Sequence, residues 1–310
     1  MDLCNHFGNS RITLYLCGTK QFWNMIRHGR YLVLISWMLV FCISCIESRN
    51  KMAGGDGGMD VLLTKSTRQQ DGQMLERIAY VTSYNSSTRN PNWVAWRLTR
   101  EHADGVYPRK GVPYYDDDGK AIGIEAFSPE IVRGNYFVDM QVPAPRQEHS
   151  DWWERPAGMD HGHLCPAADC KWDKGAMNQS FLLTNMCPQN HGLNGGDWDK
   201  LENKCRAWAK RFGDIYIVAG PIFYDGVKAS FGKNEIAIPD AFFKVVLCLH
   251  GTPKALGFIF PNEDAKHDLD YYVVSVDEVE AITGLDFFSS LDDEVEDAVE
   301  AHSDFNLWKY

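Results

Sequence analysis

Apolar positions fall along this chain in two rhythms. "IAYVTSYN" (78–85) and "WVAWRLT" (93–99) mix aromatic and β-branched residues with polar ones at the two-residue spacing of strands. Strand signals return at "IYIVAGPIF" (215–223), "AFFKVVLCLH" (241–250) and "ALGFIF" (255–260), each bounded by Gly, Pro or Asp. Helical spacing is rarer. "DWDKLENKCRAWAKRF" (197–212) sets Trp198, Leu201, Cys205 and Trp208 on one stripe, and "VDEVEAITGLDFF" predicts a second helix opening near Asp277. Strands outnumber helices and do not alternate with them regularly, and no internal repeat is visible. The pattern therefore predicts an α+β domain with a mainly antiparallel sheet.

The N-terminus follows another logic. Tyr31 to Ile46 is an apolar run of sixteen residues behind Arg27, His28 and Arg30. A membrane-spanning helix needs about twenty, so the run reads as a signal segment over residues 1–46, with Met25 as an alternative start and a buried core helix as the rival reading. Its exit, "CISC", resembles a bacterial lipoprotein processing site at Cys45, although Cys42 stands where leucine is usual. The expectation is an exported protein, either an envelope lipoprotein that meets the membrane through Cys45 or a periplasmic or secreted form. Residues 47–77 are Gly-rich and polar and read as a flexible linker to a domain over 78–310. Export would permit one or two disulfides among Cys165, Cys170, Cys187, Cys205 and Cys248, with no pairing legible.

Charge narrows the partners. A net charge of −11 argues against wholesale coating of a polyanion, though it says nothing about a local site. From Glu263 onward Lys266 and Lys309 are the only basic side chains apart from histidine, whereas 200–211 carries Lys200, Lys204, Arg206, Lys210 and Arg211. A nucleic-acid contact is thus expected near the middle of the chain.

The chemistry concentrates in "DHGHLCPAADC" (160–170) and "TNMCPQNHGLNGGDWDKLE" (184–202), which run D-x-G-H, then T-N-M-x-P-Q, then L-N-x-G-x-W-x-x-L-E. With "NPNWVAWRLT", "YIVAGPIF", "IAIPDAFFKVV" and "GFIFPNE", these resemble the DNA/RNA non-specific endonuclease family, the ββα-metal nucleases, from about Tyr80 to the C-terminus. The resemblance implies the ββα-metal (His-Me finger) fold, a central antiparallel sheet flanked by helices, and metal-dependent hydrolysis of DNA and/or RNA. It also admits a homodimer.

By resemblance His163 is the general base, and the chemistry agrees: a neutral imidazole titrates near working pH and takes a proton directly from water. Gly162 would let the backbone come close to it, and Asp160 would fix the turn by local hydrogen bonds. Asn194 corresponds to the asparagine metal ligand, an amide oxygen suited to Mg²⁺, with Mn²⁺ as a substitute. Glu202, two helical turns further on, is implied to orient water at the metal or support the site, and Asn185 to support its hydrogen bonding. Arg133 stands near the arginine expected to grip phosphate, with Arg97 a weaker candidate. One departure is His161, where the family pattern has arginine. Its loss would weaken charge compensation unless His161 is protonated or Lys171 takes over substrate binding.

Two other readings compete. His161, His163, Cys165, Cys170 and Cys187 are all zinc-ligand types, so a structural zinc site is one. A relative that binds nucleic acid without cutting it is the other, supported by His161 and the acidic balance.

Overall fold

A computed structural model describes residues 64–67, 72–108, 114–115, 121–122 and 136–309. The expected targeting segment with Cys45, and Arg133, lie outside the described residues. Among those described, no helix is long and apolar enough to cross a membrane.

Strands β1 (Gln73–Glu76), β2 (Val81–Asn85) and β3 (Asn90–Leu98) form one end of a seven-stranded sheet. A separate hairpin, β4 (Met159–His163) and β5 (Met186–Asn190), precedes helix α1 (Asp199–Phe212). The chain then returns to the sheet through β6 (Ile215–Ile222), β7 (Ala241–Cys248), β8 (Lys254–Pro261) and β9 (Val273–Val274). Helices α2 (Val276–Thr283) and α3 (Asp293–Glu300) close the domain. The spatial order is β9-β8-β7-β6-β3-β2-β1 and each pairing is antiparallel. This is the α+β class that the sequence pattern predicts.

Both faces of the sheet are covered, which is why its central strands carry few polar residues. The period of two sends Phe242 and Val246 to a core that α1 fills with Leu201, Cys205 and Trp208, joined by Trp198 just ahead of it. Phe243, Val245 and Leu247 go to the opposite core, packed by Val276 and Val279 of α2 and Val299 of α3. The predicted stripe of 197–212 is thus the buried face of α1. The helix expected near Asp277 opens on a capping box in which Ser275 and Glu278 satisfy each other's backbone N–H groups.

Two expectations need correction. The linker expected over 47–77 gives way to sheet before Ile78: β1 pairs with β2 from Gln73↔Tyr84 to Glu76↔Val81, and Leu75 is buried. Arg77 is buried as well, its Nη2 2.5 Å from Asp139 Oδ2. The five cysteines expected to offer disulfides are free and buried, the nearest pair being Cys165 and Cys170 at 3.8 Å between sulfurs.

Candidate active site

The hairpin places the first half of the site. β4 and β5 pair without interruption from Met159↔Asn190 to His163↔Met186. Gly162 is required for a reason other than approach to His163: a Cβ there would lie 2.5 Å from Cβ of Gln189 on the facing strand. His163 ends β4 at 7 % exposure, its ring edge-on to Phe181 at 5.2 Å, and its carbonyl accepts from Trp198 Nε1 at 3.3 Å.

Asn185, just ahead of β5, is fully buried and holds the segment after His163 in place. Its Oδ1 accepts from Cys165 N at 2.9 Å, and its Nδ2 donates to the carbonyls of Cys165 and Ser180, both at 2.8 Å. Both ends of the amide are thus engaged with the backbone around the segment after His163.

The second half of the site follows β5. Asn190 caps a short helical run, its Oδ1 accepting from Gly192 N at 2.8 Å, and its own N–H donates to Asn262 Oδ1 at 2.7 Å. The run continues through Asn194 but breaks at Gly196, whose φ of −113° and ψ of −109° are not helical. Asn194 and Glu202 therefore do not share one regular helix, and the two-turn offset expected between them does not apply. Asp160 is also more than a local turn-former. Its Oδ2 accepts from Asn194 Nδ2 at 2.9 Å and lies 2.8 Å from His191 Nδ1, so one carboxylate joins β4 to the turn 34 residues downstream.

This geometry suits a hard cation. Because Nδ2 of Asn194 is committed to Asp160, Oδ1 is the end of the amide available as a ligand, and a neutral oxygen donor matches Mg²⁺, which retains several waters. Nothing lies within 4 Å of where a Cβ would sit on Gly195 or Gly196, so the turn has open space beside it.

Behind the site lies a buried set of charges. Lys244 is fully buried, with Nζ 3.9 Å from the centre of the Trp198 ring and no hydrogen-bond partner among the described residues. Asp169 accepts from Arg206 at 2.8 Å and from Trp96 Nε1 at 3.0 Å, and burial raises its carboxyl despite Arg206. Burial lifts Glu202 to about 7, with Asp169 adding to the rise while Lys244 and Arg206 oppose it. Glu202 can therefore exchange a proton near neutrality.

The remaining candidates separate. His161 is sandwiched between Tyr136, 4.1 Å between ring centres, and Trp152, at 3.7 Å. Burial first, then the charges of Arg155 and His149, push it down to about 3, so it is neutral at working pH and cannot replace the guanidinium of the family pattern. Lys171 borders a surface pocket with Arg206 and Lys210. Arg97 is occupied by Asp214, Nε to Oδ2 being 2.8 Å.

The basic stretch 200–211 is largely spent within the protein, Lys200 on Asp197, Arg206 on Asp169 and Lys210 on Asp104. The cation missed in the sequence is Arg155. It donates from Nε to Met159 O at 2.9 Å and from Nη1 to Trp152 O at 2.8 Å, and shares a surface pocket with Asp160 and His191. No periodicity marks it, since its placement depends on the loop before β4. The zinc reading does not hold, because among the described residues the donors of His161, His163, Cys165, Cys170 and Cys187 do not gather into a metal-holding group.

The sequence model of the DNA/RNA non-specific endonuclease family matches residues 59–294, and the chain belongs to that family. Nuclease C1 of Cunninghamella echinulata var. echinulata is 35% identical over 232 residues, 70% of this chain and 83% of that protein. Mitochondrial endonuclease G of Bos taurus is 28% identical over 232 residues, 71% of this chain and 70% of its own length. Among solved structures, a chain of the EndoG/EndoGI complex shares the fold with a TM-score of 0.58 at 24% identity, covering 74% of this chain and 89% of that one. The protein is accordingly a hydrolytic nuclease with nucleic acid as its substrate.

Proposed function

We propose that this chain is a Mg²⁺-dependent endonuclease that hydrolyses phosphodiester bonds of DNA and/or RNA with little sequence preference. The observation that carries the reading is the Asp160 bridge, which fixes Asn194 beside the strand that ends in His163. Asn194 would hold Mg²⁺ through Oδ1, and the bound ion supplies positive charge to the phosphate and to the departing oxygen. A ring nitrogen of His163 takes the proton of the attacking water. Packing against Phe181 and the Trp198 bond to its carbonyl fix the residue before substrate arrives. Glu202 contributes a carboxylate that titrates near neutrality.

Arg155 takes the part of the missing arginine. Two of its N–H groups are anchored to backbone carbonyls, which leaves the others to grip a phosphate oxygen. Contacts of this kind engage the backbone and carry no base information, so preference among sequences is weak.

The test is nicking of supercoiled plasmid and cleavage of a folded RNA by the full chain, in Mg²⁺ and in chelator, beside His163→Ala, Asn194→Ala and Arg155→Ala. Cleavage is expected only with Mg²⁺, lost in the first two variants and reduced about tenfold or more at subsaturating substrate in the third. Unchanged activity in His163→Ala would remove the central assignment. Binding without turnover in the parent would favour the weakened relative, for which the neutral His161 is the supporting observation.

A further inference from the structure

On the face of the sheet away from α1, helices α2 and α3 bring three carboxylates together. One oxygen each from Asp277, Glu280 and Glu300 lies within 4.8 Å of the others. Two oxygens bound to one Ca²⁺ at 2.3–2.6 Å can be no more than about 5.2 Å apart, so the spacing suits a shared ion. Glu300 is only 6 % exposed, and its Oε1 is buried with no hydrogen-bond partner among the described residues. A buried carboxylate oxygen without a donor is costly, and a cation is the ligand that relieves it. Glu280 is held in place, its Oε1 accepting from Phe287 N at 2.7 Å.

The surrounding charge points the same way. Glu296 and Asp286 add their charge to that of the three carboxylates. Lys65 acts on Glu296, while its Nζ reaches Ser289 O at 3.5 Å. A divalent ion could enter past the exposed Asp277 and relieve this repulsion.

We propose that Asp277, Glu280 and Glu300 bind a divalent cation of the calcium type that fastens α2 to α3, separate from the nuclease site. An all-oxygen set of three carboxylates fits Ca²⁺, which takes six to eight oxygens; Mg²⁺ is commonly held by one or two carboxylates and keeps its waters, and zinc prefers nitrogen and sulfur.

The experiment is calorimetric titration of Ca²⁺ into the chelator-treated full chain carrying Asn194→Ala, which removes the metal ligand of the nuclease site, with thermal unfolding in Ca²⁺ and in chelator. Saturable one-to-one binding and a higher Tm in Ca²⁺ are expected. Adding Asp277→Asn, an exposed position where folding is not at risk, should weaken Ca²⁺ about tenfold or more by removing a charged ligand. Glu300→Gln should abolish the Tm response. Absence of Ca²⁺ binding in the Asn194→Ala chain, or the same Ca²⁺ response with and without Asp277→Asn, overturns the proposal.

Discussion

The two faces of the central sheet are built from the same strands but not from the same chemistry. Beneath α1, Lys244 sits between Phe242 and Val246 along β7 and meets Trp198, with Asp169, Arg206 and Glu202 in the same electrostatic neighbourhood. Beneath α2 and α3, Phe243, Val245 and Leu247 meet Val276, Val279, Phe287 and Phe288, and the carboxylates gather on the helices that cover this core. Charge inside a core is expensive to desolvate and often adds nothing to stability. Here it lies against Trp198, whose indole N–H holds the carbonyl of His163, so on the proposed mechanism it would act as a fixed field behind the site. On the opposite face the core side chains are apolar and the charge is confined to the covering helices.

Substitutions on the two faces should therefore fail in opposite ways. The largest effect belongs to His163→Ala, expected to lower kcat by about 10²–10⁴-fold while leaving a native circular-dichroism spectrum. A loss below tenfold in plasmid nicking would break the assignment of charge to catalysis. Phe243→Ala, on the apolar face, should cost about 3–5 kcal/mol in urea unfolding with kcat unchanged in the folded fraction. A kcat loss there without destabilisation would show that the faces are not separable.

Lys244→Met should do the reverse. Replacing a buried charge by an apolar chain of similar length changes stability little, but removing this cation raises Glu202 further above 7. The acid limb of the pH–rate profile should then move to higher pH, and an unmoved limb would detach Lys244 from Glu202.

The smallest effect concerns His161. Its folded value, about 3, lies below the unfolded 6.5, so the unfolded chain binds the proton first. The resulting stability is present above 6.5 and lost as pH falls toward 3. His161→Phe, which keeps the stack on Tyr136 and Trp152, should lose about 1–2 kcal/mol less than the parent between pH 6.5 and 5. Equal losses in denaturant titrations at the two pH values would refute the neutral, buried ring.

How much of this was legible in the sequence depended on what each segment packs against. Strands β2, β3, β6, β7 and β8 and the stripe of α1 were legible because apolar burial leaves a period. The hairpin was not, since "MDHGH" shows no alternation when its side chains are held by Asn194, His191 and an aromatic stack. β1 escaped because Leu75 is the one buried side chain among its exposed neighbours. At the site, the motif placed His163 and Asn194, but the bridge through Asp160 spans 34 residues and leaves no local trace. The fully buried lysine in "AFFKVV" was visible as a residue, yet its meaning required knowing which rings it faces.

The break at Gly196 also bears on how this site can change over time. In an unbroken helix each inserted residue would turn everything beyond it by about 100°, and any adjustment in the packing of α1 would swing Asn194 with it. Here the phase of Asn194 is set upstream, by Asn190 and Asp160, while that of α1 is set by Leu201, Cys205 and Trp208. The two segments can therefore drift in length and packing independently, so the core under α1 can be rebuilt without re-aiming the amide.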